Sequence, residues 1–91
     1  MHNYPSDITI EEFEIIEPLL LKARKQTKPR RISLYDVFCA ILYMVESGCQ
    51  WRMIPSDFPR YTTVRYYYDI WSEKREDGST ILEEVLKKLS R

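Results

Sequence analysis

The sequence predicts an all-α fold, a small bundle of four to five helices containing a helix-turn-helix-like unit. Three observations predict it. Helix-start signals recur at Thr9–Glu12, Ser33–Asp36 and Thr80–Glu83, each offering a side-chain oxygen to a backbone N–H that the first helical turn leaves free. The apolar residues after each start repeat at helical spacing, and no segment shows the period-two alternation of a strand. Finally, 44% apolar and 13% aromatic content across 91 residues is too hydrophobic for a disordered chain, so a packed core is expected. A chain of this size buries roughly 60–65% of its unfolded surface, enough for one domain spanning residues 1–91.

The first helix begins after Thr9, with Ile8 and Phe13 at the two staple positions around the cap and Phe13, Ile16 and Leu20 on one face. Pro18 lacks an N–H and crowds the carbonyl four residues back, so it should kink this helix or end it. A second helix is expected from Leu34 to about Ser47, with Ile32 and Val37 as its staple and Leu34, Val37, Phe38, Ile41 and Val45 as its stripe. Ala40, Leu42, Tyr43 and Met44 widen that stripe almost all the way round, the mark of a buried central helix or a partner-binding one. Gly48 stops it by adopting the left-handed conformation.

Cys49 to Ile54 reads as a short helix closed by Pro55, and Ser56 to Arg60 as a loop. The next helix is expected to be capped by Thr62 or Thr63, turning Val64, Tyr67, Tyr68 and Trp71 inward and Thr62, Arg65, Tyr66, Asp69 and Glu73 outward. Gly78 breaks the chain again before a C-terminal helix over about 81–90. Its Ile81, Leu82, Val85, Leu86 and Leu89 face inward, and acids lead and lysines trail as the helix dipole favours.

A net charge of zero conceals a strong asymmetry. Residues 1–21 hold five acids and no Lys or Arg, whereas residues 22–65 hold nine bases and three acids. Six of those bases (Lys22, Arg24, Lys25, Lys28, Arg30 and Arg31) crowd the inter-helix stretch 22–33, which could follow a phosphate backbone or reach into a minor groove. Its other reading is a solvated loop that offsets the acidic first helix. The buried helix, the glycine break, the short helix and the amphipathic helix that follow, over about residues 34–73, have the order of a helix-turn-helix unit. In that reading Arg65 addresses a guanine edge, Thr62 and Tyr66 contact phosphate or base, and Arg60 anchors the backbone. The alternative is a solvated face on which Arg65 and Asp69, four residues apart, pair with each other. Arg52 and Arg60 bracket the turn and could both anchor the sugar–phosphate backbone. For Arg52 a role inside the fold, stacking on a ring or capping a carbonyl, is preferred because Trp51 beside it reads as core; Gln50 is left open between DNA contact and helix termination.

Other chemistries fail on inventory. A single histidine, His2, leaves any serine or cysteine nucleophile without a base partner, and with Cys39 and Cys49 it cannot complete a four-ligand zinc site. The two cysteines lie ten residues apart on or just past one helix, too far for a disulfide, and read as reduced thiols. Tyr66-Tyr67-Tyr68 invites a recombinase or relaxase reading, but the Arg/His cluster or histidine pair those chemistries need is missing. No catalytic residue, metal site, cofactor or small-molecule ligand is expected. The longest apolar run, Val37 to Val45, is far short of the roughly 20 residues of a membrane span, and a soluble, cytoplasmic protein is expected.

Three blocks of residues resemble a known family. Asp7-Ile8-Thr9 leads through Glu11-Glu12-Phe13 to Ile16-Glu17-Pro18-Leu19-Leu20. Ala40-Ile41-Leu42-Tyr43 is followed by Gly48-Cys49-Gln50-Trp51-Arg52, Ile54-Pro55 and Phe58-Pro59. Thr63-Val64 then joins Tyr66-Tyr67-Tyr68, Trp71 and Asp77-Gly78. The chain resembles the N-terminal domain of the family-five insertion-sequence transposases, and the Gly-Cys-Gln-Trp-Arg run is the most specific part of the match. The resemblance implies a domain that binds double-stranded DNA at the element's terminal inverted repeats and positions a following RNase-H-like domain, whose three acids hold divalent metal. None of the acids here is assigned to that triad, so the chain is expected to be non-enzymatic, a first-frame product or a truncated remnant. The residues expected on DNA are Lys25, Lys28, Arg30, Arg31, Arg60, Thr62, Arg65 and Tyr66. A homodimer, or a mixed dimer with a full-length transposase, is the protein partnership the resemblance leaves open. Two other readings stand beside it, an interaction module with negligible DNA affinity and a folded remnant without a present role.

Overall fold

A computed structural model describes residues 4–22 and 33–89. Four α-helices carry the fold: α1 (Ile10–Leu20), α2 (Leu34–Ser47), α3 (Tyr61–Trp71) and α4 (Ile81–Lys88). A 3-10 helix, Trp51–Met53, interrupts the connection from α2 to α3, and no strand occurs among the described residues. α1 packs on α4, α2 on α3, and the 3-10 helix on α3. The all-α expectation holds.

The caps predicted at Thr9, Ser33 and Thr80 form. Thr9 Oγ1 accepts from the Glu12 N–H at 3.0 Å, and Glu12 Oε1 accepts from the Thr9 N–H at 3.0 Å. Thr80 and Glu83 repeat the exchange at 3.0 and 2.9 Å, while Ser33 Oγ accepts from the Asp36 N–H at 3.3 Å. Gly48 closes α2 at φ +71°, a conformation that strains any residue with a Cβ, and its N–H donates to the Met44 carbonyl at 2.9 Å.

α3 starts elsewhere than expected. Its N-cap is Arg60, not Thr62 or Thr63, and the Arg60 side chain caps nothing. The N–H groups of Thr63 and Val64 both donate to the Arg60 carbonyl at 3.0 Å, which places the two threonines inside the first turn. Phe58 and Val64 are both buried, and their anchoring sets where the chain must turn. Propensity at the threonines yields to that packing.

Pro18 does not end α1, which continues through it to Leu20. Leu19 and Leu20 are buried, and the Leu21 N–H reaches the Glu17 carbonyl at 3.0 Å, so burial beyond the proline holds the last turn. The missing N–H at this exposed position remains a cost. Pro18→Ala is therefore expected to raise the unfolding free energy by about 1 kcal/mol or more, the helix-interior penalty reduced by the looser unfolded chain. Urea denaturation of the two proteins checks this, and an unchanged midpoint contradicts it.

The core is continuous from α1 to α4. Ile16 and Leu20 of α1, Val37, Phe38 and Ile41 of α2, Val64 and Trp71 of α3 and Val85 of α4 are its largest fully covered side chains besides Cys39. Val45, expected in the α2 stripe, is instead 52% exposed, because it lies beyond the part of α2 that the neighbouring elements cover. The N-terminal segment closes over one end of this core. Tyr4 meets Tyr43 edge-on at 4.9 Å, lies 5.2 Å from the Phe58 ring, and donates its hydroxyl to Asp57 Oδ2 at 3.1 Å.

Tyr35 ties the same segment to α2. Its hydroxyl donates to the Ile8 carbonyl at 2.6 Å, and its ring stands edge-on to Phe13 at 5.6 Å. Burial pushes the Tyr35 hydroxyl up to about 12 and the neighbouring Cys39 thiol up to about 11. In the unfolded chain these groups ionise near 10.0 and 9.0. Stability they contribute is thus fully present below the unfolded values and is lost as pH rises through the folded ones, because the unfolded state releases its protons first. The denaturation midpoint is expected to fall between pH 9 and 12, and to fall less in Cys39→Ala and Tyr35→Phe chains. A midpoint as steep in both variants as in the parent contradicts this assignment.

Candidate nucleic-acid interface

The basic stretch that carries Lys25, Lys28, Arg30 and Arg31 lies outside the described residues. At its near edge Lys22 is exposed and lines a depression with Arg75, Glu76, Asp77 and Glu84. There Arg75 is engaged twice, with Glu84 Oε1 at 3.0 Å and with Ser79 Oγ at 2.8 Å. Asp77 accepts from the Ser79 hydroxyl at 2.7 Å and its N–H at 3.0 Å, bonds that hold its carboxyl below the usual range. This corner is an internally paired loop brace of mixed sign, unsuited to a polyanion.

α3 presents a different surface. Val64, Tyr67 and Trp71 are buried, while Thr62, Arg65, Tyr66 and Asp69 are exposed, as the helical spacing predicts. The tyrosine triple divides three ways. Tyr67 packs 5.2 Å from the Trp71 ring, Tyr68 half-buries against Trp51, and Tyr66 stands outward with its ring edge-on to Tyr67 at 5.2 Å. Among the described residues Arg65 makes no ion pair with Asp69, so the solvated-pair alternative for this face is not realised.

The uncapped start of α3 adds polarity. Arg60, a donor-only side chain, cannot cap this end, and the N–H groups of Tyr61 and Thr62 have no partner among the described residues. They open onto a groove of about 520 Å3 lined by Ile54, Pro55, Phe58, Arg60, Tyr61 and Thr62. A helix N-terminus of this kind, beside a guanidinium and a hydroxyl, favours an anionic oxygen. Arg60 and Thr62 are thus brought together, while Arg65 faces a second groove on the other side of Tyr61.

That second groove, of about 500 Å3, holds Arg52, for which sequence favoured a role inside the fold. Arg52 is instead exposed and has no hydrogen bond, ion pair or ring contact among the described residues. Trp51 is half-buried, with its ring 5.2 Å from Tyr68. The cause is the 3-10 geometry, which rotates successive side chains by about 120°, so a Trp51 turned to α3 sends Arg52 outward. Gln50 is likewise exposed and makes no side-chain cap, and with Arg52, Tyr61 and Arg65 it lines this groove. The signal was available in the sequence, in the shortness of the segment between Gly48 and Pro55.

No group of His, Cys, Asp and Glu among the described residues is placed to hold a metal ion. No helix among them is long and apolar enough to cross a membrane. What the surface offers is cationic, aromatic and hydrogen-bonding, on the one face of α3 that the core leaves uncovered.

Residues 8–76 match the model of the family described as "Putative transposase of IS4/5 family (DUF4096)". The match takes in α1, α2, the 3-10 helix and α3, and the chain belongs to this family of insertion-sequence transposases. No curated protein and no solved structure matches it.

Proposed function

We propose that this chain is a DNA-binding module of an insertion-sequence transposase that recognises the terminal inverted repeats of its element and does no strand chemistry itself. The observation that carries the reading is the start of α3, where Arg60, Thr62, Arg65 and Tyr66 are all exposed and the two arginines lack acidic partners among the described residues. Family membership supports it, since a transposase must locate its ends. α2 and α3 then act as the two helices of a helix-turn-helix-like unit, with the first turns of α3 entering the major groove. Asp69, one turn further on, repels phosphate and limits the contact to those turns. Arg60 and the free N–H groups of Tyr61 and Thr62 hold the backbone, Arg65 reads a base edge, and Lys25, Lys28, Arg30 and Arg31 add phosphate contacts from the preceding stretch. Double-stranded DNA is the partner, without a cofactor or small-molecule ligand, and the site of action is the cytoplasm.

The experiment is binding of the purified chain to duplexes carrying the terminal repeats of the source element, with scrambled duplexes as control, at two salt concentrations. Preferential binding that weakens steeply with salt is the expected result. A folded chain that binds neither duplex at low salt sinks the proposal.

A second reading has one observation in its favour. Ile10 and Ile15 of α1 are 54% and 57% exposed, and Leu21 beyond its end is exposed as well. These apolar side chains suit a homodimer, or a mixed dimer with a longer transposase, and the molar mass in solution decides between monomer and dimer.

A further inference from the structure

The 3-10 helix is fastened to α3 by the Trp51 side chain and closed on itself by local backbone bonds. Trp51 meets Tyr68 at 5.2 Å with the rings 69° apart. The Met53 N–H donates to the Gln50 carbonyl at 2.9 Å, and the Ile54 N–H to the Trp51 carbonyl at 3.2 Å. The backbone from Gln50 to Ile54 is thereby held in place while Arg52 projects away from it. Arg65 borders the same groove from α3, Cys49 and Tyr61 lie between them, and no carboxylate is part of the lining.

Shape and charge together select the guest. A protein element that reads base edges must itself be convex, because it enters a groove of the duplex. This site is concave and flanked by two guanidinium groups, so its guest is convex and anionic. On a duplex the convex anionic feature is the sugar–phosphate ridge beside the groove. Arginine suits it, since its planar fork gives two parallel donors to a phosphate, and the exposed Gln50 carboxamide adds a further donor at the rim.

Resting on the DNA-end reading above, we infer that this groove seats the phosphodiester backbone of one strand, with Arg52 as the phosphate clamp. Arg52 fixes the strand against the end of α2, and Arg65 then addresses the adjacent base edge from a set position. Arg52 is thus a positioning residue whose effect is independent of sequence.

The test uses the full chain, its Arg52→Ala and Arg52→Lys variants, and terminal-repeat and scrambled duplexes over a range of salt. Loss of one phosphate contact in Arg52→Ala is expected to weaken both duplexes alike, roughly tenfold, and to flatten the plot of log affinity against log salt by about 0.9. Arg52→Lys keeps the charge and restores that slope. Thermal unfolding is the same for all three, because the replaced side chain has no partner among the described residues. Cys49 supplies an independent readout, since it is half-buried at this groove and a seated strand slows its alkylation by iodoacetamide. Unchanged affinity and slope in Arg52→Ala, with Cys49 alkylated at one rate with and without duplex, overturn the clamp while leaving end recognition by the parent chain intact. A loss confined to the terminal-repeat duplex also overturns it, because Arg52 would then be reading bases. Parent protein that binds neither duplex overturns the DNA-end reading and the clamp with it.

Discussion

Trp71→Ala is expected to destabilise the fold by about 3–5 kcal/mol, the cost of emptying a large aromatic site in a core that only partly collapses. Trp71 is fully buried at the end of α3, with the Tyr67 ring 5.2 Å away. A domain of this size has roughly 5–15 kcal/mol in total, so the variant sits at or near the edge of folding. The indole adds a second, separable effect. Its Nε1 is buried and has no hydrogen-bond partner among the described residues. Trp71→Phe removes that donor while keeping most of the ring, and its cost is expected to stay under about 2 kcal/mol because the relieved desolvation offsets part of the lost volume. Urea denaturation followed by far-UV circular dichroism measures both. Equal losses for Phe and Ala would mean that the indole N–H is satisfied in solution and that its hydrogen bond, rather than ring volume, sets the cost.

The contrast between Trp71 and Arg52 shows which parts of this molecule were legible in its sequence. Trp71 was placed in the core by its spacing from Val64 and Tyr67, and a regular helix of 11 residues gives such spacing enough repeats to be read. The caps at Thr9 and Thr80 were legible for a related reason, since each is a local exchange within four residues. The start of α3 was not, because it depends on where Phe58 and Val64 find cover, and tertiary packing overrides the capping preference of Thr62 and Thr63. Pro18 taught the same lesson in α1, where burial of Leu19 and Leu20 carries the helix past a residue that disfavours it. Arg52 was misread because it neighbours an aromatic residue, and three residues of 3-10 helix are too few to display a period. Tyr35 was given no role in the sequence, because its hydroxyl reaches a carbonyl 27 positions away, a contact no local pattern announces.

The second large effect separates two kinds of DNA contact. Arg65→Ala is expected to reduce affinity for the terminal-repeat duplex by about 1–3 kcal/mol while barely changing affinity for the scrambled one, since a lost base contact matters only where the right base is present. Arg65 is exposed on the outward face of α3 and makes no ion pair among the described residues, so its replacement leaves the fold undisturbed. Joint replacement of Lys28, Arg30 and Arg31 by alanine has the opposite signature. If each neutralises one phosphate, the triple variant weakens both duplexes equally and the salt slope falls by about 2.7, three contacts at about 0.9 each. The two variants measured side by side divide the binding energy between reading and holding. An unchanged preference in Arg65→Ala removes α3 as the reader. An unchanged slope in the triple variant removes the basic stretch, leaving Arg52, Arg60 and the start of α3 to hold the duplex.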